Sequence, residues 1–347
     1  METDNVIVYR NEYAYCAWPH IIILQNGQWI LAFSEAMRRR QVTHTDPTAH
    51  NVIIRSSDDG RNWTQPVAVP NYDFYGMDDP GIVQLSSGKI LMNAYQHLYI
   101  SGDRKQQDMR PCDPFPWSVG WGPTFVHSSV DDGSTWNTSK VDAKPFKAAC
   151  TLRSIVELEN GQLLLPCYDE SRSPSVAFVI RSDDAGKTWK DVAAIAEDPR
   201  ISFYEPALLV VASKIIAMLR THEDGDWHLY QCESRDGGMS WTKPRRTPIW
   251  GYPAHLLLLR DGRILCSYGY RKPPYGIRAC LSNDAAATWN VENELILRDD
   301  FQNADLGYPT SVETTGGNIF TAYYGQHEGV TCIQAASYDI DKKQVKN

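Results

Sequence analysis

The chain has 347 residues, enough to bury the core of one large β domain or of two smaller domains. Its apolar and charged fractions, 42% and 22%, are typical of a soluble globular protein. The formal net charge of −8 argues against a nucleic-acid partner, because the only basic cluster, MRRRQ at residues 37–41, is too short for a phosphate-binding surface.

The N-terminal segment METDNVIVYR carries acidic residues where a signal peptide has a positive region, and no apolar run long enough to span a membrane is present. The eight cysteines show no CxxC or other metal-binding spacing, which favours reduced thiols buried in strands. These features predict a cytoplasm-like compartment, or secretion if a leader has been removed. The sequence predicts no membrane partner, no cofactor and no metal at the site, because no His, Asp or Glu spacing requires one, and a structural Ca²⁺ in a loop would leave no signal in the sequence.

Six segments of the chain combine two short apolar strands with a central turn, usually built on glycine, which is a strong hairpin signal. In chain order they are HIIILQNGQWILAF (20–33), GIVQLSSGKILMNA (81–94), SIVELENGQLLLPC (154–167), ALLVVASKIIAML (207–219), HLLLLRDGRILCSY (255–268) and SVETTGGNIFTAYY (311–324).

A second repeat, Ser-x-Asp-x-Gly-x-(Thr/Ser/Asn)-Trp, follows each of the first five hairpins. Its copies cover residues 56–63, 129–136, 182–189, 234–241 and 282–289, and the fifth has Ala286 in place of glycine. Asp and Ser side chains bond nearby backbone groups, glycine permits a positive φ, and tryptophan covers the turn. The motif therefore predicts a structural turn between antiparallel strands and not a catalytic site.

Six hairpins and five Asp-turns, spaced by about 50 to 70 residues, predict an all-β fold. Its architecture is a six-bladed β-propeller with four-stranded antiparallel blades, forming a single domain over residues 1–347. Residues 98–123 are a Pro- and Trp-rich insertion in the second blade. The C-terminal TCIQAASYDI is expected to pair with the N-terminal NVIVYR, because closing the ring removes exposed strand edges.

The Asp-turns and the six-blade count resemble the sialidase (neuraminidase) superfamily, also called BNR or Asp-box propellers, over essentially the whole chain. The resemblance is specific for the fold and weaker for the function, since Asp-turns also occur in non-catalytic propellers and in other glycosidases. The resemblance in fold therefore does not by itself identify a catalytic site.

The innermost strands of a propeller begin around one axis, so the residue pairs before the six hairpins are expected to converge. These pairs are Trp18-Pro19, Asp79-Pro80, Leu152-Arg153, Glu205-Pro206, Tyr252-Pro253 and Tyr308-Pro309. Proline suits the first position of a strand, where no N–H is needed. A second set of candidates, at the opposite ends of the hairpins, comprises Glu35, Asp169, Arg220, Arg271 and Tyr324.

Several segments resemble the catalytic segments of sialidases. YEPALLVVASKIIAMLR resembles the family's Glu-to-Arg segment, which implies Glu205 as the activating base and Arg220 as a carboxylate ligand. LGYPTSVE resembles the stretch with the tyrosine nucleophile and implies Tyr308 in that role. HTDPTAHNVIIRSSDDG resembles the loop after the first hairpin, and implies Asp46 as general acid/base. YGIRACLSNDAAATW implies Arg278 as another carboxylate-binding arginine.

These residue types suit a sugar whose anomeric carbon carries a carboxylate. A carboxylate nucleophile would be repelled there, whereas a phenol is neutral until a neighbouring Glu takes its proton, and sialidases are the known tyrosine exception among glycosidases. Arginines bind the substrate carboxylate in bidentate fashion. An aspartic acid protonates the leaving oxygen and then acts as base on water.

One sialidase motif is absent. Sialidases begin the first hairpin with Phe/Tyr-Arg-Ile-Pro, and this chain reads YCAWPHIIIL, with Ala17 and Trp18 where the arginine is expected. Either Arg153, at the start of the third inner strand, or one of Arg38–Arg40 replaces it, or the substrate is another acidic or neutral sugar. In that case Trp18 is a stacking surface and His20 a hydrogen-bond partner.

Four further polar residues are expected to line the cleft, namely His44, His50, His97 and Asp79, and Arg271 is a further candidate ligand.

Three hypotheses about the function follow from these residues. The first is an exo-acting glycoside hydrolase of sialidase type that acts on a glycan. The second is an arabinanase-like hydrolase or a uronate lyase on the same scaffold. The third is a propeller that binds carbohydrate or protein without catalysis.

Overall fold

The computed structural model describes residues 4–70, 74–101, 109–222 and 225–343. It confirms the predicted all-β propeller, with six blades of antiparallel strands. Blade 1 contains β2 (Ala14–Ile23), β3 (Trp29–Met37), β4 (His50–Ser56) and β5 (Val67–Val69). Blade 2 contains β6 (Met77–Gln84), β7 (Ile90–Ser101), β8 (Arg110–Pro111), β9 (Trp117–Ser129) and β10 (Asn137–Lys140).

The remaining four blades follow in chain order. Blade 3 contains β11 (Val156–Glu157), β12 (Leu163–Asp169), β13 (Val176–Ser182) and β14 (Lys190–Ala196). Blade 4 contains β15 (Phe203–Val211), β16 (Lys214–Thr221), β17 (His228–Ser234) and β18 (Arg245–Trp250). Blade 5 contains β19 (Ala254–Leu258), β20 (Ile264–Tyr270), β21 (Tyr275–Ser282) and β22 (Asn290–Phe301). Blade 6 contains β23 (Gly307–Glu313), β24 (Ile319–His327), β25 (Val330–Tyr338) and β1 (Asp4–Tyr9), and a short helix α1 (Ile340–Lys343) ends the described chain.

The N-terminal strand closes the ring, as the sequence predicts. β1 pairs antiparallel with β25 and becomes the outermost strand of blade 6. The third and fourth strands of this blade therefore come from opposite ends of the chain, so no loop joins them. This explains why a sixth Asp-turn is absent from the sequence.

The five Asp-turns join the third and fourth strands of blades 1 to 5. In the first, Ser56 Oγ accepts a 3.0 Å hydrogen bond from the Gly60 N–H, and Asp58 Oδ1 accepts a 2.9 Å bond from the Asn62 N–H. Asp59 and Gly60 have φ values of 59° and 79°. Trp63 Nε1 donates to the Gly60 carbonyl at 3.0 Å, so the indole covers the turn. The turn is self-contained, which supports its structural role.

Apolar clusters fill the spaces between neighbouring blades. One cluster joins blades 1 and 6 and contains Trp29, Phe33, Phe320 and Tyr324, so the ring is closed by packing as well as by β1. The insertion in blade 2 adds β8, which pairs with β9 and gives that sheet a fifth strand. Part of the insertion, residues 102–108, lies outside the described residues. Among the residues that are described, no helix is long and apolar enough to cross a membrane.

Candidate active site

Four of the six strand entrances have an unusual backbone. Trp18, Asp79, Glu205 and Tyr308, each directly before a proline, have φ values of 56°, 51°, 47° and 50°. At each of them the register between the first and second strands shifts, which marks a β-bulge. A left-handed conformation costs on the order of 1–3 kcal/mol in a residue other than glycine, and bulges re-aim side chains. The repeated bulge turns these side chains toward the propeller axis.

Tyr308 and Glu205 meet at this axis. The Tyr308 hydroxyl donates a 2.7 Å hydrogen bond to Glu205 Oε1, although the residues belong to blades 6 and 4. Arg220 Nη1 lies 2.8 Å from both carboxylate oxygens of Glu205 and 3.3 Å from the Tyr308 hydroxyl. All three residues, which the sequence predicts to belong to the site, are therefore in direct contact. Their roles in a reaction remain predictions.

The surroundings set the protonation states of this pair. Burial alone would raise the pKa of Glu205, but the charge and hydrogen bonds of Arg220 and the bond from Tyr308 hold that pKa below its ordinary value. Burial and the nearby Glu205 carboxylate raise the pKa of Tyr308 well above its ordinary value. At neutral pH, a neutral phenol therefore donates to an ionised carboxylate.

Two arginines of the site share one aromatic ring. The guanidinium carbons of Arg220 and Arg271 lie 4.2 Å and 5.0 Å from the ring centre of Tyr252, and Arg271 also lies 5.5 Å from that of Tyr308. His222 Nε2 accepts a 2.8 Å bond from Arg220 Nε. Burial and the charge of Arg220 lower the pKa of His222 to about 4, so this imidazole is neutral and able to accept. Arg271, from the far end of the hairpin in blade 5, thus lies beside Tyr308.

Arg153 enters the axis from blade 3. It is 3% exposed, its Nε donates a 2.8 Å bond to the Ala254 carbonyl, and its Nη2 is buried without a hydrogen-bond partner. Gly81 allows this approach, because a Cβ there would lie 2.8 Å from the Arg153 carbonyl oxygen. Burial lowers the pKa of Arg153 to about 10, and the charge of Glu205 opposes that shift. The guanidinium is therefore still protonated at neutral pH.

Asp79 lies at the entrance of blade 2, with Oδ1 buried and unpartnered. Burial, followed by the charges of Asp78 and Glu205, raises the pKa of Asp79 well above its ordinary value, while Arg153 opposes this rise. Burial and the charge of Glu205 thus favour the protonated form of Asp79, and the charge of Arg153 opposes this effect.

Aromatic rings surround the position at which sialidases have their first arginine. Trp18 is 6% exposed, and its ring centre lies 6.3 Å from those of Tyr308 and Tyr324 and 6.1 Å from that of Tyr15, edge to face in each case. The indole therefore forms a wall of the site next to the Tyr308 phenol.

Asp46 is 2% exposed and ion-paired. Arg39 Nε and Nη2 lie 2.6 Å and 3.1 Å from its two oxygens, and Thr48 donates through its N–H at 2.8 Å and its hydroxyl at 2.6 Å. Burial would raise the pKa of Asp46, but the bonds from Arg39 and Thr48 hold it below its ordinary value. The resting carboxyl is thus ionised, whereas an acid catalyst must be protonated when it acts. Its role as general acid/base stays a prediction.

Three candidates have their contacts elsewhere. Arg278 pairs with Glu294 and stacks on Tyr270 in its own blade. Arg38 donates to the carbonyls of Glu12 and Gly329, at 3.1 Å and 2.8 Å. His20 is 4% exposed and its ring lies 5.9 Å from that of His255, and burial lowers its pKa to about 3. The described contacts do not place these three residues against Tyr308 or Glu205.

Two His–Asp pairs lie beside the site, and no sequence pattern predicts these pairings. His97 Nδ1 lies 2.6 Å from Asp78 Oδ2, and His44 Nε2 lies 3.1 Å from Asp305 Oδ1. His44 also packs edge to face on Trp18, with ring centres 5.9 Å apart. Both histidines were expected to line the cleft, but their partners are distant in sequence, and no short motif joins them. No group of His, Cys, Asp and Glu suited to a metal ion occurs within the described part of the chain.

Comparisons with known proteins agree with this architecture. The family described as the BNR repeat-like domain matches residues 115–321, which is more than half of the chain. A search of curated proteins returns no match. A solved protein of unknown function from Dyadobacter fermentans is similar, with 28% identity, a TM-score of 0.87, and coverage of 97% of this chain and 98% of the other.

Two enzymes share the fold at lower identity. The intramolecular trans-sialidase from Ruminococcus gnavus, solved with oseltamivir carboxylate, has 14% identity, a TM-score of 0.73 and 99% coverage of both chains. The α-L-arabinanase from Penicillium chrysogenum, solved with arabinobiose, has 15% identity, a TM-score of 0.71 and 99% coverage of both chains. At these identities the likeness concerns the fold, which is therefore a scaffold that glycoside hydrolases use.

Proposed function

The chain belongs to the BNR repeat-like domain family, and from that premise we propose that it is an exo-acting glycoside hydrolase for a terminal acidic, sialic-acid-like sugar of a glycan. The observation that carries the proposal is the 2.7 Å hydrogen bond from Tyr308 to the ionised Glu205. A neutral phenol next to an ionised base is the arrangement that activates an oxygen nucleophile. A tyrosine in that place favours a sugar with a carboxylate on its anomeric carbon, where a carboxylate nucleophile would be repelled.

Three arginines supply the complementary charge for such a carboxylate. Arg220 and Arg271 stack on Tyr252, and Arg153 approaches from blade 3 with a buried N–H that lacks an acceptor. A buried donor without a partner is costly, so an acceptor from a ligand would stabilise this arrangement. A carboxylate bound to Arg220 would also compete with Glu205 for its guanidinium, which makes Glu205 a stronger base when the substrate is in place.

The first chemical step transfers the sugar to the enzyme. Glu205 Oε1 takes the phenolic proton as Tyr308 Oη bonds to the anomeric carbon, and the glycosidic C–O bond breaks. The leaving oxygen receives a proton from the acid, a role that the family resemblance gives to Asp46. Proton transfer of this kind is typically worth about 100- to 10,000-fold.

The second step releases the sugar with retention of configuration. Asp46, now ionised, takes a proton from water while the water oxygen bonds to the anomeric carbon. The Tyr308–carbon bond breaks, and the phenolate recovers its proton from Glu205. Asp46 thereby regains the proton that it gave to the leaving oxygen, and the bound substrate must weaken its ion pair with Arg39 to keep this carboxyl protonated.

Trp18 favours a second candidate function, a hydrolase or lyase for a different glycan. An indole replaces the first arginine and forms a wall next to Tyr308, and a sugar ring without an anomeric carboxylate can stack on such a surface. A propeller that binds carbohydrate without catalysis is the outcome if no glycan is turned over.

A panel of glycosides tests the proposal. The panel contains α-glycosides of N-acetylneuraminic acid, of other nonulosonic acids, of hexuronic acids and of arabinose, and product release is followed by NMR. The proposal is supported if a sugar with a carboxylate on its anomeric carbon is hydrolysed faster than all other substrates and the product keeps its anomeric configuration. Preferred hydrolysis of arabinosides or cleavage of uronates contradicts it in favour of the second candidate, and binding without turnover favours the third.

A further inference from the structure

The insertion in blade 2 carries a pair of stacked aromatic rings. Phe115 and Trp117 lie with ring centres 4.7 Å apart and planes 15° from parallel. The turn before Trp117 is closed by two backbone bonds, from the Phe115 N–H to the Cys112 carbonyl at 2.7 Å and from the Cys112 N–H to the Trp117 carbonyl at 3.1 Å. The rings line a groove of about 560 Å³ together with Pro114, Pro116 and residues 39–41. This volume is within the range of sites for small organic ligands.

Two contacts join this turn to the loop that carries Asp46. The guanidinium carbon of Arg39 lies 5.3 Å from the ring centre of Trp117, and the same guanidinium is ion-paired with Asp46. Thr45, next to Asp46, has its hydroxyl 3.4 Å from Cys112 Sγ. The groove therefore begins one side chain away from the carboxyl that is predicted to protonate the leaving oxygen.

The direction of the substrate follows from this neighbourhood. The acid of a glycosidase must contact the glycosidic oxygen, so the group beyond that oxygen lies on the acid's side of the site. Here that side leads past Arg39 to the rings of Phe115 and Trp117. An aromatic face offers an apolar surface to the C–H groups of a pyranose, while Arg39, Arg40 and Gln41 offer hydrogen-bond groups to its hydroxyls.

We propose that the groove over Trp117 binds the leaving-group sugar, that is, the glycosyl unit to which the terminal acidic sugar is attached. This inference rests on the proposed hydrolase function and extends it, because it makes the enzyme selective for a sugar on both sides of the scissile bond. Trp117 determines that selectivity and takes no part in bond cleavage.

Two substrates with the same acidic sugar distinguish binding of the leaving-group sugar from cleavage of the glycosidic bond. One is the methyl glycoside, whose leaving group still needs a proton from the acid but is too small to reach the groove, and the other is the lactoside, whose leaving group is a disaccharide. The acidic sugar is the one that the wild type hydrolyses fastest in the panel above. We expect Trp117→Ala to lower kcat/KM for the lactoside by about tenfold, mainly through KM, and to change kcat/KM for the methyl glycoside by less than about twofold.

Trp117→Phe is the matched control, because it keeps an aromatic face and should retain most of the activity on the lactoside. Equal losses on both substrates in Trp117→Ala, or no loss on either, would overturn the inference and leave the proposed function standing. If the wild type hydrolyses no acidic glycoside of the panel, the proposed function fails, and this inference fails with it.

Discussion

The phenol of Tyr308, at the start of blade 6, donates a 2.7 Å hydrogen bond to Oε1 of Glu205, at the start of blade 4. Both residues have a left-handed backbone at a β-bulge before a proline. The two bulges aim one side chain from each blade at the axis, and Arg220 bridges them. This relationship gives a direct path for a proton between the proposed nucleophile and its proposed base.

Removing the charge of Glu205 should abolish most turnover without unfolding the protein. Glu205→Gln keeps the volume of the side chain but can no longer take the proton of Tyr308, so we expect kcat to fall by about 100- to 10,000-fold. Stopped-flow measurement of the glycosylation step, with thermal unfolding as a control for folding, checks this. Activity within threefold of the wild type would exclude Glu205 as the base.

Removing Arg220 should destabilise the protein strongly. Glu205 has only 5% of its side chain exposed, and Arg220→Met would leave this carboxylate without its ion-pair partner, at a cost of about 3–5 kcal/mol. Urea unfolding at pH 7 measures the loss. Adding Glu205→Gln to Arg220→Met should recover part of the stability, because the unpaired charge is gone. A loss below about 1 kcal/mol in the single variant contradicts this prediction.

The pH dependence of stability has a definite sign at Glu205. Its pKa in the folded protein lies below the ordinary value of 4.5, so the ionised form is favoured by folding. The resulting stability is fully present above about pH 4.5 and is lost as the pH falls through the folded-state pKa. Between about pH 5 and about pH 3, the free energy of unfolding should therefore fall less in Glu205→Gln than in the wild type. If the free energy of unfolding falls with pH in that variant as much as in the wild type, other carboxyls and not Glu205 cause the loss.

Arg153 should contribute to carboxylate recognition, and Arg278 should not. Both have a buried donor without a partner, but that of Arg153 lies at the axis, whereas Arg278 is paired with Glu294 in the outer half of its blade. Arg153→Met should reduce the preference for a carboxylate ligand over its carboxamide by about tenfold or more, and Arg278→Met should leave it unchanged. Calorimetric titration with the two ligands measures both ratios. A general structural defect would weaken both ligands equally and would leave the ratio at its wild-type value.

The ion pair between Arg39 and Asp46 should control the alkaline limb of activity. If Asp46 is the acid, it must be protonated, and the bonds from Arg39 and Thr48 lower its pKa, so kcat/KM should fall as the pH rises above the acidic range. Arg39→Met removes one of these partners and should move that fall to higher pH. A pH–rate profile on the methyl glycoside, whose leaving oxygen needs a proton but whose methyl group is too small to reach the groove over Trp117, separates this effect from that of Arg39 on the groove. An unmoved alkaline limb in Arg39→Met speaks against Asp46 as the titrating acid.

The fold follows from the sequence because its signals are local and repeated. Each Asp-turn satisfies its own hydrogen bonds, and each glycine turn sets the register of its hairpin, so the six blades were predicted from patterns of eight to fourteen residues. Ring closure by β1 was also predicted, because an unpaired sheet edge is unfavourable.

The site follows only in part. The proline after Trp18, Asp79, Glu205 and Tyr308 identifies the ring of entrances, but the positive φ that aims these side chains inward has no signal in the composition. The ion pair of Asp46 with Arg39 and the pairing of Arg278 with Glu294 depend on side-chain rotamers, which spacing along the chain does not determine. Contacts across blades, such as His44 with Asp305, join residues 261 positions apart and are visible only once the ring is closed.

Identification of the residue that bonds to the sugar tests the central claim most directly. A fluorinated glycosyl fluoride of the preferred acidic sugar slows the second step, so the covalent intermediate accumulates and can be located by peptide mass spectrometry. We predict a single adduct on the peptide that contains Tyr308, and none in Tyr308→Phe. An adduct on Glu205, on Asp79 or on any other residue, or full turnover by Tyr308→Phe, would contradict the account.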